Sequence, residues 1–244
     1  MRLLYPHYED VVDPAAIYAD LPSAVGRPSV RLNMIVSVDG GTSWNGVSGG
    51  LGGPADKALF GIMRTLPDVV LVASGTMRAE HYGPAILPDA VRAAREARGQ
   101  RPVPPIAVVS QRCDFDWNDP FFSAATERPF IITVSSADDA KVAQAREVAE
   151  VIIAGDDLVD LSVAVADLGE RGIAHILAEG GPTLNGELAT AGLLDEVCVS
   201  FAPLLASGDA KRIIAGSALA QLERLRLRSI LEEDDYLFLR YRAR

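Results

Sequence analysis

The apolar residues of this chain recur with two different periods. Apolar and polar residues alternate from Val30 to Val38, which predicts a strand with two different faces. From Pro54 onward, apolar residues recur every three or four positions, as expected for a helix with one buried face. The continuous apolar run 69–73 predicts a second strand, covered on both faces. The chain therefore begins its regular structure with a strand, a helix and a strand.

The same alternation continues through most of the chain. Further strands are predicted at 106–109, 130–134, 151–153 and 174–178, and further helices at 89–99, after 134, at 161–170 and at 182–192. We expect the helix at 89–99 to be exposed, with Arg92, Arg95 and Arg98 between alanines. Ser136 is the predicted cap of the helix after 134, with Asp139 near its third position. Closely spaced strand–helix–strand units favour an α/β fold with a largely parallel sheet.

The two ends of the chain differ from this middle part. A strand is predicted at 196–202, and two alternating segments, 225–231 and 236–241, flank an acidic turn, which predicts an antiparallel hairpin. Residues 1–29 lack sustained periodicity and predict an N-terminal arm with a short helix near 14–19, whereas 30–244 form one domain. We expect the hairpin's arginines to face solvent, namely Arg224, Arg226, Arg228, Arg240 and Arg242.

Composition narrows the classes of function. The 244 residues carry a net charge of −10, so nucleic acid and anionic membranes are poor partners. The N-terminus lacks a signal peptide's apolar stretch and no segment reaches membrane-spanning length, which predicts a cytoplasmic location. The two cysteines and three histidines offer neither a disulfide framework nor a metal-ligand spacing. We therefore expect no metal and two buried or semi-buried free thiols.

The strongest candidate for chemistry lies at 176–184. A predicted strand ends at Glu179, Gly180 and Gly181 form a turn, and Pro182 opens a helix. The first N–H groups of a helix have no partner inside it and favour anions, above all phosphate. Alternatively, the two glycines only allow the strand and the helix to pack closely. The motif alone leaves both interpretations open.

Other predicted strand ends carry similar groups. Gly75 and Thr76 follow one strand, and Ser110 ends another. Ligands of open α/β sheets bind beyond the carboxyl ends of parallel strands, so the set favours a site for phosphates and ribose. The first strand adds Asn33 and, just after it, Asp39, for which capping of the following glycine turn is the alternative. Arg64, considered alone, is best interpreted as a solvated arginine.

Taken in order, these motifs resemble the riboflavin-pathway pyrimidine reductases, the reductase half of a bifunctional deaminase–reductase. The resemblance covers about Val30 to the C-terminus and is strongest to stand-alone reductase-domain proteins of actinobacterial type. It implies a dihydrofolate-reductase-like fold, with a mostly parallel central sheet flanked by helices and a C-terminal antiparallel hairpin. It rests on Ser37-Val38-Asp39-Gly40-Gly41, the glycine-rich loop and Arg64, Gly75-Thr76 with Glu80, Glu179-Gly180-Gly181-Pro182-Thr183-Leu184, Asp195-Glu196 and Ala202-Pro203-Leu204-Leu205.

The resemblance also implies NADPH as hydride donor, a phosphorylated small-molecule substrate and a homodimer. The cofactor would lie across the strand ends, with its phosphates on the turn at 180–184 and Arg112 as a candidate contact to a 2′-phosphate. Asp39 and Glu179 are the candidates for orienting or protonating the substrate. The cofactor contacts are Ile35, Thr76, Glu80, Ser110, Arg112, Gly180, Gly181, Pro182, Thr183 and Leu184, and the substrate contacts are Asn33, Ser48, Arg64 and Glu179.

In the family reaction, hydride reaches C1′ of the ribosyl group of 5-amino-6-(5-phosphoribosylamino)uracil, through an open-chain imine, and gives the ribitylamino product. This chain departs from the family in two places. The zinc deaminase half is absent, and His81-Tyr82-Gly83-Pro84 replaces an Asp-Pro and a following arginine that reaches the substrate phosphate. For His81 and Tyr82, contact with a ligand and a structural role in the loop are equally open interpretations. The alternatives are a dihydrofolate or pterin reductase and a non-catalytic dinucleotide-binding module.

Overall fold

The protein is described here by a computed structural model that covers all 244 residues and contains ten strands and eight helices. The strands are β1 (Arg2–Tyr5), β2 (Ser29–Ser37), β3 (Val69–Ala73), β4 (Ile106–Val109), β5 (Phe130–Thr133), β6 (Glu150–Ile153), β7 (His175–Ala178), β8 (Leu194–Ala202), β9 (Leu225–Glu233) and β10 (Tyr236–Ala243). The helices are α1 (Pro14–Tyr18), α2 (Pro54–Arg64), α3 (Ser74–Ala79), α4 (Asp89–Ala97), α5 (Pro120–Ser123), α6 (Asp139–Val148), α7 (Leu161–Glu170) and α8 (Pro182–Thr190). None of these helices has the length and apolar character that a membrane span requires.

The chain divides into two compact units. The first consists of Met1–Ala24, Ser29–Arg64 and Leu177–Arg244, and the second of Val25–Pro28 and Thr65–Ile176. In the first unit the strand order is β1-β9-β10-β8-β2, and in the second it is β3-β4-β5-β6. The division into an arm at 1–29 and a single domain at 30–244 stays a prediction.

Strand direction follows the predicted pattern in both units. Strand β2 pairs with β8 in parallel, and β3 through β6 are parallel throughout. Strands β9 and β10 form the antiparallel hairpin, with β10 antiparallel to β8 and β1 antiparallel to β9. The predicted α/β class with its C-terminal hairpin is confirmed.

Apolar burial explains why these segments form strands and helices. Four of the five β3 residues are buried, and β5 is buried throughout, as the continuous apolar runs predict. Helix α2 buries Ala55, Leu59 and Met63 at helical spacing and leaves its opposite side to solvent. Both cysteines are buried free thiols, as predicted.

Two of the polar predictions are wrong. Arg95 is not exposed; its side chain is completely buried and donates hydrogen bonds to the carbonyls of Thr65, Pro67 and Arg101 at 2.8–2.9 Å. Helix α6 is capped not by Ser136 but by Asp138, whose carboxylate accepts from the amide of the third helical residue. The two errors differ in cause. Two of the carbonyls that bind Arg95 come from a distant part of the chain, 30 and 28 positions away, whereas Asp138 lies closer to the first residue of α6 than Ser136 does.

Two of the five hairpin arginines are a third correction, whereas Arg224, Arg226 and Arg228 are exposed as predicted. Arg240 is only 3% exposed and donates to Glu196 at 2.8 Å, and Arg242, partly buried, donates to the same carboxylate. Arg31 on β2 approaches Glu196 from another strand, with 2.5 Å between Nε and Oε2. Arg240 and Arg242 are covered by the end of α1 and the residues just after it. Arg31 donates to the carbonyl of Tyr18, Arg240 donates to that of Ile17, and both also donate to the carbonyl of Asp20.

Candidate active site

A buried ion pair joins two of the predicted site residues. Arg64, the last residue of α2, donates to both oxygens of Glu179, which directly follows β7, at 2.8 and 2.6 Å. The Glu179 side chain is 2% exposed and that of Arg64 28% exposed, and the guanidinium lies 4.3 Å from the centre of the Phe60 ring. Bidentate, charge-assisted bonds of this kind fix both partners. Arg64 is therefore not the solvated arginine that it resembles in isolation.

The glycine turn after Glu179 is buried and closely packed. Gly180 has φ +87°, and a Cβ at this position would lie 3.1 Å from Sδ of Met34 on β2. The bond between Gly180 and Gly181 is cis, Gly181 is the N-cap of α8, and Pro182 occupies its first turn. Only glycine combines this positive φ with so little space for a side chain. The turn is therefore closely packed, and no side chain at the N-cap accepts a hydrogen bond from the first amides of α8.

Asp39 lies in a second glycine turn, just beyond β2. Its carboxylate accepts from Ser37 Oγ at 2.6 Å and from the amides of Ala206 and Ser207 at 3.0 and 2.7 Å. The hydrogen bond from Ser37 and then those from the two amides hold the pKa of Asp39 well below its usual value. Asp39 is therefore an acceptor at neutral pH, which suits an orienting group better than a proton donor.

The remaining predicted residues of the first unit lie on β2 and in the following loop. Asn33 and Ile35 alternate along β2 and therefore share one face with Ser37. Both are half-buried, as is Ser48 in the glycine-rich loop. Strand β2 thus presents the polar Asn33 and Ser37 and the apolar Ile35 on the face that ends at the Asp39 turn.

The second unit holds the other predicted cofactor contacts. Thr76 lies in α3, Glu80 caps the end of that helix, and both are half-buried. Ser110 is buried just after β4, and Arg112 is exposed two residues later. Thr76, Ser110 and Arg112 lie just beyond the carboxyl end of a parallel strand, as the sequence predicts, whereas Glu80 lies at the far end of α3.

The segment that departs from the family borders an open groove in the second unit. The groove has a volume of about 720 Å³, and Arg78, His81, Tyr82, Phe115 and Phe122 are among the side chains that line it. His81 adopts a positive φ of 51°. This position of His81 and Tyr82 is compatible with contact to a ligand and also with a structural role in the loop.

A further buried residue lies at the glycine turn, and no sequence pattern predicts it. Asn185 of α8 is fully buried; its Nδ2 donates to the carbonyl of Ile213 at 2.7 Å, and its Oδ1 has no hydrogen-bond partner. Oδ1 lies 3.6 Å from the position that a Cβ on Gly180 would occupy. In the sequence, Asn185 is a single polar residue within an otherwise apolar helix face, and such residues are common. Only the fold shows that it lies beside the glycine turn.

Solved structures and curated sequences of known proteins match most of the chain. A pyrimidine reductase-like protein from Corynebacterium diphtheriae superimposes with a TM-score of 0.85 at 26% identity, over 96% of this chain and 99% of the other. A riboflavin biosynthesis reductase from Saccharomyces cerevisiae shares the fold, with a TM-score of 0.70 at 16% identity, over 95% of this chain and 99% of the other. The 2,5-diamino-6-ribosylamino-4(3H)-pyrimidinone 5′-phosphate reductase of Methanothermobacter thermautotrophicus is 33% identical over 199 residues, which are 80% of this chain and 88% of the relative.

Such reductases imply a nicotinamide dinucleotide as hydride donor, and the glycine turn has the chemistry to hold its phosphates. Gly181 has no side chain that could accept from the amides of the first turn of α8, and Pro182 has no amide. The amides of Thr183 and Leu184 therefore suit a phosphate oxygen. The sequence profile that matches residues 28–237 is that of the RibD C-terminal domain, and the chain belongs to this family.

Proposed function

We propose that the chain is an NADPH-dependent reductase that converts the ribosyl group of a ribosylaminopyrimidine 5′-phosphate into a ribityl group. The observation that carries this proposal is the position of Glu179. A buried carboxylate, fixed by Arg64, directly precedes a turn whose amides suit a dinucleotide phosphate. A group that recognises the substrate is thereby only one residue away from the group that holds the cofactor.

Glu179 and Arg64 have the chemistry to orient the pyrimidine. A carboxylate accepts hydrogen bonds on both oxygens, and the two bonds from Arg64 fix the direction of both oxygens of Glu179. The amino and ring N–H groups of an aminopyrimidine are donors that match such a carboxylate. Since Arg64 rests on Phe60, the pair keeps its orientation. In this proposal Ser48 and Asn33 complete the contacts to the substrate.

The bound dinucleotide supplies a hydride, and the protein must hold the acceptor carbon and provide a proton. Reduction breaks the C1′–O4′ bond, adds hydride to C1′ and leaves a proton on the freed oxygen. Ile35 on β2 is proposed to face the nicotinamide, and the turn at 180–184 to hold the phosphates. Thr76, Glu80, Ser110 and Arg112 stay predicted contacts, with Arg112 assigned to the 2′-phosphate of NADPH.

Two forms of the substrate are compatible with this proposal. The curated relative is named as a reductase of the 2,5-diamino pyrimidinone, whereas the family resemblance implies the 5-amino uracil. The two differ only at C2 of the ring. The homodimer implied by the resemblance stays a prediction that sedimentation of the purified protein will test. The relatives give no support to the pterin and non-catalytic alternatives.

Titration of the protein with NADPH, followed by addition of each pyrimidine 5′-phosphate, tests the proposal. We expect saturable quenching of NADPH fluorescence, then oxidation of NADPH only when a ribosylaminopyrimidine is present, and a ribityl product by mass spectrometry. NADH and dihydrofolate serve as controls for the cofactor and the substrate. Cofactor binding without oxidation by either pyrimidine would overturn the enzyme assignment, and failure to bind NADPH would overturn the whole proposal.

A further inference from the structure

The long connection between β8 and β9 contains a segment that contacts two parts of the candidate site. We call residues 204–215 the strap. It has no regular secondary structure, yet it is hydrogen-bonded at both ends. All the groups that bind it belong to the first unit.

The first half of the strap is held by the turn that follows β2. The amide of Val38 donates to the carbonyl of Leu204 at 2.9 Å, and the two oxygens of Asp39 accept from the amides of Ala206 and Ser207. Thr42 donates to the carbonyl of Lys211 through both its amide and its hydroxyl, at 3.3 and 2.9 Å.

Gly41 brings this turn close to the strap. A Cβ at Gly41 would lie 3.2 Å from Cβ of both Ala206 and Ala210. Only small residues therefore meet at this contact. The close approach leaves Asp39 within reach of the two strap amides that it binds.

The second half of the strap is held by the first turns of α8. Asn185 donates to the carbonyl of Ile213, and the amide of Ala215 donates to the carbonyl of Pro182 at 2.9 Å. At Gly186 the contact is so close that a Cβ would lie 1.9 Å from the carbonyl oxygen of Ala215. The strap therefore lies directly against the helix start that Proposed function assigns to the dinucleotide.

We propose that Asp39 is a positioning residue that acts through the strap: by binding the amides of Ala206 and Ser207 it holds residues 204–215 against α8 and so keeps the dinucleotide-binding turn in its working geometry. This inference rests on the proposed function. Asp39 touches neither cofactor nor reacting atoms in this role, and it moves no proton.

The ionisation of Asp39 agrees with such a role. Its lowered pKa means that the carboxylate keeps both acceptors at neutral pH. The stabilisation it gives is present above the ordinary aspartate pKa of about 4 and is lost only as the pH falls through the lower, folded-state value. Ser37, Ala206 and Ser207 are the groups that face it, and none of them changes charge in this range.

Asp39→Asn tests the inference because it keeps the size of the side chain but replaces one acceptor oxygen with a donor. We expect faster hydrogen exchange of the amides of Ala206 and Ser207, and a Kd for NADPH raised at least about fivefold. The pH profile of kcat should keep both of its limbs, because in this role the carboxylate moves no proton. Because coupling is reciprocal, NADPH should slow exchange across the strap of the wild-type protein.

Asp209→Asn is the matched control. It also removes one negative charge, but this charge lies within the strap and its carboxylate makes no hydrogen bond. It should leave the Kd and the exchange rates unchanged. Ser37→Ala removes the hydroxyl that supports Asp39 and leaves both strap acceptors in place. It should raise the Kd in the same direction by a smaller factor, which keeps the test valid if Asp39→Asn does not fold.

The outcomes separate this inference from the proposed function. If the wild-type protein does not bind NADPH, the proposed function fails and this inference fails with it. If it binds NADPH but Asp39→Asn leaves the Kd or the strap exchange unchanged, only this inference fails. Loss of kcat together with one limb of the pH profile would instead make Asp39 a proton-transfer group.

Discussion

In the proposed reaction, Glu179 is the single residue on which most of the chemistry depends. Its side chain is almost fully buried, and Arg64 occupies one acceptor position on each of its oxygens. No residue near Glu179 along the chain indicates that Arg64 is its partner, because Arg64 is 115 positions away. The motif could therefore predict that an acid lies next to the glycine turn, but only the fold shows how that acid is held.

Glu179→Gln should lower kcat by about 100-fold, a typical effect of losing a group that orients or protonates a substrate. The Kd for NADPH should change by less than about threefold, because the amides of the turn remain. Steady-state kinetics and fluorescence titration measure the two quantities. Glu187→Gln, on the exposed side of α8, is the matched control and should alter neither. Equal losses in kcat and affinity would show that Glu179 serves the cofactor instead.

The two thiols should be inert in the folded protein. Burial raises the pKa of Cys198 to about 12 and that of Cys113 to about 11, so almost no thiolate exists between pH 7 and 8, the range of such labelling experiments. We expect no alkylation by iodoacetamide in the native state and modification of both thiols after unfolding in urea. Rapid labelling of either cysteine in the native protein would contradict the burial described here.

At the scale of elements, the contact between α8 and the strap depends on one glycine. A Cβ on Gly186 would collide with a backbone carbonyl, whereas a Cβ on Gly61, in the interior of α2, would meet no atom within 4 Å. Both glycines lie inside a helix, but Gly186 is packed against backbone whereas Gly61 faces open space. They form a natural pair for separating helix propensity from packing.

Gly61→Ala should stabilise the protein by about 0.5–1 kcal/mol, because alanine loses less backbone entropy in a helix. Gly186→Ala should destabilise it by about 1–3 kcal/mol, as an overpacked contact does, and should also weaken NADPH binding by displacing the strap. Urea unfolding and NADPH titration measure both effects. A stabilising Gly186→Ala variant with normal affinity would mean that the strap does not press on α8.

Most elements could be predicted because apolar periodicity is a local property of the chain. The strands β2, β3 and β5 and the helices α2 and α7 follow it closely. Strand β1 could not be predicted, because its four residues form a strand only by pairing with β9, more than 200 positions away. Helix α3 was also missed, since six residues that include a glycine give no clear period. The strap was missed because its bonds to Asp39 span up to 168 positions.

At the scale of the whole molecule, a buried ionic cluster ties both ends of the chain to one strand. Glu196 on β8 is completely buried and accepts from Arg31, Arg240 and Arg242. Alternation alone gave Arg240 and Arg242 a solvent-facing role, because it cannot tell which face another segment will cover. The alternation of strand and helix segments along the chain, by contrast, correctly indicated an α/β fold.

Glu196→Gln should lower the free energy of unfolding by about 3–5 kcal/mol, because it leaves buried guanidinium groups without their counter-charge. Glu233→Gln is the control. Glu233 is 44% exposed and lies 3.5 Å from the N-terminal ammonium, so its loss should cost at most about 1 kcal/mol. Urea denaturation measures both variants. A small effect at Glu196 would show that the cluster is hydrated and does not hold the arm.

Transfer of deuterium from NADPH labelled at C4 of the nicotinamide tests the central claim most directly. With a ribosylaminopyrimidine 5′-phosphate as substrate, one deuterium should appear at C1′ of the ribityl product when the transferred face is labelled, and none when the opposite face is labelled. Both the diamino and the uracil form should be tried. A product without deuterium from either labelled cofactor, or bound NADPH that neither form oxidises, would contradict the account.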